Sequence, residues 1–323
     1  MSPQKPRVFI TCTNIAAEAL QLLQEKCDIV SCTDDYPSKQ QVYETVKGVD
    51  AIFWYWLPST NVDKDLLDAA GPNLKVVASM SSGYEHMDVN EMKKRGIQVG
   101  YGPDISSPAV ADMAITLLLS VVHRLREGQF KVKTGAWRWY ELSYQGHEIF
   151  DSTVGIVGFG SIGQAVAKRL VGFELKRLLY CGRSKKQEAE KYSAEFVSFD
   201  ELLKQSDYII ITCRLNNETR GMFNEAAFSK MRTNSVLINV ARGEIVDHEA
   251  LTHALLEKKI WGAGLDVTEP EPLPVDSPLL GITNCVITPH IASSTVRTKR
   301  DLAILTVQNI LAALEGKPLP SPL

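Results

Sequence analysis

Short apolar runs alternate with mixed, helix-length stretches almost from the first residue. RVFIT, DIVSC, AIFWYW, LKVVASM and IQVGYG all fall before residue 103, each separated from the next by a segment long enough for a helix. Runs of Val, Ile, Leu and aromatic residues without a polar face mark strands covered on both sides. The pattern predicts parallel strands joined by crossover helices, five units making one complete small α/β domain. A second series starts at TVGIVGFG and continues through RLLYC, EFVS, YIIITC, SVLINV, GAGLDV and CVITP. It predicts a second doubly wound sheet of six or seven strands.

Between the series lies SSPAVADMAITLLLSVVHRLREGQF, with Pro108 at a first-turn position and a long apolar face after it. The following KTGAWRWYELSYQGHEIF is aromatic and without a clean period, which predicts an exposed arm. STVRTKRDLAILTVQNILAALEG predicts one long helix ended by Gly316 and Pro318. That helix follows the last strand of the second series and is expected to return to the first domain. No solenoid repeat and no low-complexity tract occurs.

Composition removes several function classes. The chain has 323 residues, 45% of them hydrophobic and 23% charged, which suits two globular domains. A net charge of −3 without a face-long basic block speaks against a nucleic-acid partner. The six cysteines form no CxxC pair and no zinc spacing, so small buried thiols in a reducing compartment are expected, and no metal. The start MSPQKPRVFIT leaves no room for a signal peptide, and no apolar run approaches a membrane span. The ending Ser-Pro-Leu resembles the peroxisomal Ser-Lys-Leu only weakly, so a cytoplasmic location is expected, with a peroxisome as the lesser alternative.

Candidate chemistry starts at VGIVGFGSIGQAVAKRL. Gly158, Gly160 and Gly163 form G-x-G-x-x-G between an apolar strand and a helix. The first glycine permits a tight turn, the second lets backbone approach a pyrophosphate, and the third allows close helix–strand packing. Ser161 and Ile162 open the helix, whose free N–H groups and dipole favour the anion. At the end of the next strand, where an acid often grips the adenine ribose, the chain instead has Arg183, Ser184, Lys185 and Lys186. A guanidinium fork and a hydroxyl suit a 2′-phosphate, and the lysines add positive potential. NADPH is therefore expected, with NADH the weaker alternative; a solvated basic loop at a helix start is the plainer explanation.

Three later strand runs lead straight into SVLINVARG, GLDVTEPEP and CVITPHIASS. Successive strand ends thus deliver Arg242, then Asp266, Glu269 and Glu271, then His290 to one sheet edge. A 2-oxo acid needs a bidentate cation for its carboxylate, which suits Arg242. It needs a proton donor for its carbonyl oxygen, which suits His290, and a carboxylate to hold the imidazolium, which suits Glu271. Singly, each has an ordinary explanation as a surface ion-pair partner, a solvated acid or a satisfied histidine.

SMSSGYEHMD, GFGSIG, INVARGEIVD, GLDVTEPEP and TPHIASS together resemble the D-isomer-specific 2-hydroxyacid dehydrogenase family over nearly the whole chain. The resemblance implies an α/β fold of two doubly wound parallel-sheet domains, a Rossmann-type NADP domain inserted into a flavodoxin-like substrate domain. The implied substrate domain is 1–105 plus 291–323, and the nucleotide domain 106–290, including a dimerisation helix and arm over 106–150. It implies the Arg242, Glu271 and His290 set as catalytic. It also implies carboxylate-binding N–H groups at Ser82 and Gly83, and Asp266 orienting nicotinamide or substrate. Arg214, Val240, Ala292 and Ser293 are implied to line a cleft between the domains. LKVVASMSSGYEH, KKRGIQVGY and NCVITPHI are most similar to members that reduce glyoxylate to glycolate and hydroxypyruvate to D-glycerate, which carry a Gly-Arg pair where this chain has Gly182 and Arg183. In those members the arm implies a homodimer, with a tryptophan entering the partner's site; Trp139 matches, although Trp137 competes for the register. This chain departs from them at Ser82, Ala292 and Arg214, where valine, glycine and a small polar residue are usual. The alternatives are another D-2-hydroxyacid dehydrogenase, of D-lactate or phosphoglycerate type, and a nucleotide-sensing corepressor-like binding protein.

Overall fold

In a computed structural model, residues 5–34, 37–57, 59–138 and 144–323 are described. The chain divides into two units, Met1–Ser106 with Ser294–Leu323, and Ser107–Ser293.

The first unit carries β1 (Arg7–Ile10), β2 (Asp28–Ser31), β3 (Ala51–Trp54), β4 (Val76–Ser79) and β5 (Gln98–Gly100). All pairings are parallel, in the order β2-β1-β3-β4-β5. β3 and β4 are buried throughout because helices cover both faces, whereas β2 at the edge is partly exposed. The helix Val296–Leu314 packs on β3 and β4 and beside the helix Ala17–Lys26. It starts where the Thr295 side chain accepts the Thr298 N–H and ends before Gly316, whose φ of +70° suits glycine. Leu302, Val307 and Ile310 bury their side chains with Val8, Phe53 and Val76, each contributing about 1.5–3 kcal/mol.

The second unit carries β6 (Thr153–Val157), β7 (Arg177–Cys181), β8 (Ala194–Phe196), β9 (Tyr208–Ile211), β10 (Val236–Asn239), β11 (Gly262–Leu265) and β12 (Cys285–Ile287). They form one seven-stranded parallel sheet in the order β12-β11-β10-β9-β6-β7-β8. The chain grows one way through β7 and β8, then returns to the other side of β6, so the order reverses between β6 and β9. Ligands of open α/β sheets bind at the carboxyl edge beside such a reversal. Val157 pairs with Cys181 and Ile211, Ile211 with Asn239, Asn239 with Leu265, and Leu265 with Ile287. These strands therefore end level, and the residues that follow each share one rim.

The helix Ser107–Val122 lies across β10 and β11. It comes so close that a side chain at Gly264 would meet Ile238 at 2.8 Å and Leu117 at 3.0 Å. The apolar stretch read as one run is two helices. Arg124 takes φ of +53°, and Leu125–Lys133 departs at 61° with no buried residue.

Candidate active site

The turn after β6 has the three glycines in three different situations. Gly158 has φ of +93°, and a Cβ there would sit 2.6 Å from the Cys213 backbone, so only glycine fits. A Cβ on Gly163 would run into the Gly158 carbonyl, which lets the helix Ser161–Leu170 abut the strand. A Cβ on Gly160 would meet nothing within 4 Å. No side chain caps the first helical turn. Ser161 is exposed, while Ile162 packs against the core. The open space beside Gly160 at an uncapped helix N-terminus leaves room and free N–H donors of the kind a pyrophosphate needs.

Beyond β7, Gly182, Arg183, Ser184, Lys185 and Lys186 are all exposed. Among the described residues no carboxylate pairs with any of the three cations. One strand over, Arg214 is exposed after β9, and the Arg214 carbonyl accepts the Thr219 hydroxyl at 2.7 Å.

The rim beyond β10, β11 and β12 is knit more closely. Asn239, fully buried, donates its Nδ2 to the Arg242 carbonyl at 2.8 Å and accepts the Ala241 N–H at 3.0 Å. These bonds close the turn that carries Val240, Ala241 and half-buried Arg242. Gly243 then lies flat on the next loop: a Cβ would collide with the Thr268 carbonyl and sit 2.7 Å from the Glu269 nitrogen. Asp266 is 1% exposed. Its Oδ1 accepts the Thr288 hydroxyl at 2.6 Å and the Ile291 N–H at 3.0 Å, and its Oδ2 accepts the Ala292 N–H at 2.8 Å. The Asp266 carbonyl takes the His290 N–H at 2.8 Å. His290 is thereby held at φ of +51°, a left-handed conformation that histidine tolerates better than most residues.

The His290 Nδ1 lies 2.9 Å from Glu271 Oε2, and Glu271 Oε1 accepts the Thr268 N–H at 2.9 Å. Burial pushes the Glu271 carboxyl up, but the His290 hydrogen bond and charge, the Thr268 N–H and the Arg242 charge together hold it below its ordinary value of 4.5. Glu271 is thus within electrostatic reach of both Arg242 and His290. Glu269, two residues earlier, goes the other way, raised by burial and by the neighbouring Glu244. Ala292 is buried beside Val240 in the core, and Ser293 is half-buried. Among the described residues no group of His, Cys, Asp and Glu converges as a metal site.

In the first unit, the turn after β4 holds Ser82 and Gly83. Ser82 Oγ donates to the Gly102 carbonyl at 2.6 Å, and Ser81 Oγ donates to the Gly83 carbonyl at 2.6 Å. Ser81 is in turn bonded to Ser79 at 2.7 Å, and Ser79 to His86 Nε2 at 3.2 Å. Among the described residues neither Ser82 nor Gly83 gives its backbone N–H to an acceptor. Trp139 lies outside the described residues.

Four contributors went unremarked in the sequence. Asn239 and Gly243 sat inside a quoted motif but show their use only through contacts with Arg242 and Thr268. Thr268 and Tyr180 likewise sat inside the quoted runs GLDVTEPEP and RLLYC with no role assigned.

Residues 115–292 match the family described as D-isomer specific 2-hydroxyacid dehydrogenase, NAD binding domain. The chain is 45% identical over 322 residues to a Homo sapiens glyoxylate reductase/hydroxypyruvate reductase, covering 98% of this chain and 97% of that one. Among solved structures, a glyoxylate reductase from Paecilomyes thermophila superposes with a TM-score of 0.90 at 28% identity, covering 99% of this chain and 98% of that one. An acyclic imino acid reductase in complex with NADPH and D-Arg superposes with a TM-score of 0.85 at 26% identity, covering 98% and 99%. The chain belongs to the D-isomer specific 2-hydroxyacid dehydrogenase family, oxidoreductases that act on 2-hydroxy acids with a nicotinamide coenzyme.

Proposed function

We propose that this protein reduces glyoxylate to glycolate and hydroxypyruvate to D-glycerate, with NADPH preferred and NADH the weaker coenzyme. The observation that carries the reading is the 2.9 Å hydrogen bond between Glu271 and His290, on the rim that Arg242 shares. When bound, the coenzyme supplies the hydride. The Arg242 guanidinium binds the substrate carboxylate through two parallel N–H bonds. His290, its Nδ1–H donating to Glu271, gives the proton on Nε2 to the carbonyl oxygen as that oxygen gains charge. Glu271 stabilises the imidazolium beforehand and fixes the ring's orientation.

Asp266 holds the loop that carries His290, and Oδ2 keeps a lone pair suited to the nicotinamide carboxamide. Val240, Ala292 and Ser293 flank that position. Gly158, Gly160, Ser161, Ile162 and Gly163 present the pyrophosphate cradle. Arg183, Ser184, Lys185 and Lys186, with Arg214, supply the cations and hydroxyl for the 2′-phosphate. Ser82 and Gly83 offer carboxylate-binding N–H groups, and Trp139 helps select small polar substrates. In this reading the second unit is the coenzyme domain and the first the substrate domain.

A homodimer and a cytoplasmic location belong to the same proposal. The face formed by Leu125–Lys133 and the start of the arm supports the first: Phe130 and Trp137 are 65% and 59% exposed. Trp137 lines, with Leu125, Val132, Leu280 and the cations Arg126 and Lys131, an open cavity of about 1020 Å³. Among the described residues no single helix is long and apolar enough to cross a membrane.

The test is turnover. Purified protein mixed with NADPH and either oxo acid should consume the coenzyme, and light scattering should report a dimer. No consumption with either acid and either coenzyme, alongside peptide binding, would transfer the reading to a corepressor-like protein.

A further inference from the structure

The basic loop beyond β7 has one anchor to the core. Among the described residues Gly182–Lys185 make no hydrogen bond. The Lys186 N–H, however, donates to the Tyr180 hydroxyl at 2.9 Å, and the same hydroxyl lies 3.4 Å from the Lys186 carbonyl. Tyr180 is fully buried in β7. Its ring packs against Phe159, in the G-x-G turn, with centroids 4.4 Å apart at 38°, and against Phe196 at 5.3 Å. That packing needs the ring alone, and phenylalanine would fill the same space. The hydroxyl serves the loop.

We infer that the Tyr180 hydroxyl is a specificity-determining positioning group: by pinning Lys186 to the sheet, it fixes the Arg183–Ser184 span where the 2′-phosphate of NADPH is gripped. The inference rests on the NADPH reading above. A four-residue span of exposed backbone pays an ordering cost whenever it closes on a ligand, and a tether at its far end removes part of that cost in advance. Only a ligand that uses the loop benefits. NADH, without the phosphate, gains nothing from the tether.

The experiment uses Tyr180→Phe and Arg183→Ala in the full chain. Binding of NADPH, NADH and adenosine 2′,5′-bisphosphate is measured by calorimetry, with kcat at saturating coenzyme and amide hydrogen exchange over the loop. Tyr180→Phe should weaken NADPH and the bisphosphate about 3- to 10-fold, the range of one hydrogen bond. NADH binding and kcat should stay unchanged, and the Lys186 amide should exchange faster. Equal weakening of NADH, or no weakening of NADPH, overturns the inference. Arg183→Ala separates the two readings. If it too leaves NADPH binding intact, the coenzyme assignment itself fails; if it weakens NADPH while Tyr180→Phe does not, only the tether fails.

Discussion

In the reading proposed above, the rim beyond β10–β12 and the loop beyond β7 serve one coenzyme and one reaction, yet they are constructed differently. On the rim, Asn239 closes the arginine turn, Gly243 lies flat on the Thr268 carbonyl, and the Asp266 carboxylate accepts three hydrogen bonds from the segment around His290. The basic loop is exposed and rests on a single phenol. The contrast follows from what each region must do. Proton transfer and carboxylate binding depend on distance at the scale of a few tenths of an ångström, so the groups must be held before substrate arrives. Attraction of a doubly charged phosphate acts over several ångströms and tolerates motion.

The comparison breaks first, and most severely, at His290. His290→Asn keeps a residue that tolerates the left-handed backbone and removes the proton donor. It should lower kcat for reduction about 10³-fold with little change in melting temperature. A loss below tenfold would deny His290 that role. Next comes Gly243→Ala, which touches neither substrate nor coenzyme. Its methyl group must push the arginine turn off the Thr268 carbonyl, so kcat/KM should fall about 100-fold together with a lower melting temperature. An alanine variant with full activity would show that the rim yields as easily as the loop.

Glu271→Gln sharpens the comparison through pH. The ring loses the carboxylate that orients it, so kcat/KM for reduction should fall about tenfold at neutral pH. The pH dependence lies in stability. Because the folded carboxyl lies below 4.5, its contribution is complete above that value and fades as pH falls through the folded pKa. The melting-temperature gap between wild type and Glu271→Gln should therefore narrow only under acid. A gap that widens there would contradict the pairing with His290.

The smallest effects belong to the loop. Arg183→Ala should raise KM for NADPH about tenfold and leave NADH untouched. Salt should raise the NADPH KM severalfold in wild type and less in that variant, since exposed charges are screened and rim hydrogen bonds are not. Equal salt sensitivity with both coenzymes would remove the loop from phosphate recognition.

Much of this was legible beforehand because it is periodic or local. Runs without a polar face, such as YIII and VLIN, read as buried parallel strands, and both are fully buried. The G-x-G-x-x-G turn could be recognised because it stands between an apolar strand and a helix, although the Cys213 backbone that excludes a side chain at Gly158 lies far along the chain. Arg242, Glu271 and His290 could be nominated because each follows a strand and parallel strands share a carboxyl edge. The bend at Arg124 was not legible. LSVVHRLREG keeps its apolar spacing through the break, and nothing local marks a left-handed residue there.

What the chain determined by itself, then, is the alternation of elements, the glycine-rich turn, and the kinds of chemical group at each strand end, since these depend on neighbours a few residues away. What only the folded molecule decided is which of those groups touch. Strand order and register bring Gly243 onto Thr268, Asp266 under Ala292 and Tyr180 against Phe159. Contacts between segments joined through the sheet depend on how every intervening strand pairs, and no stretch of sequence carries that information alone.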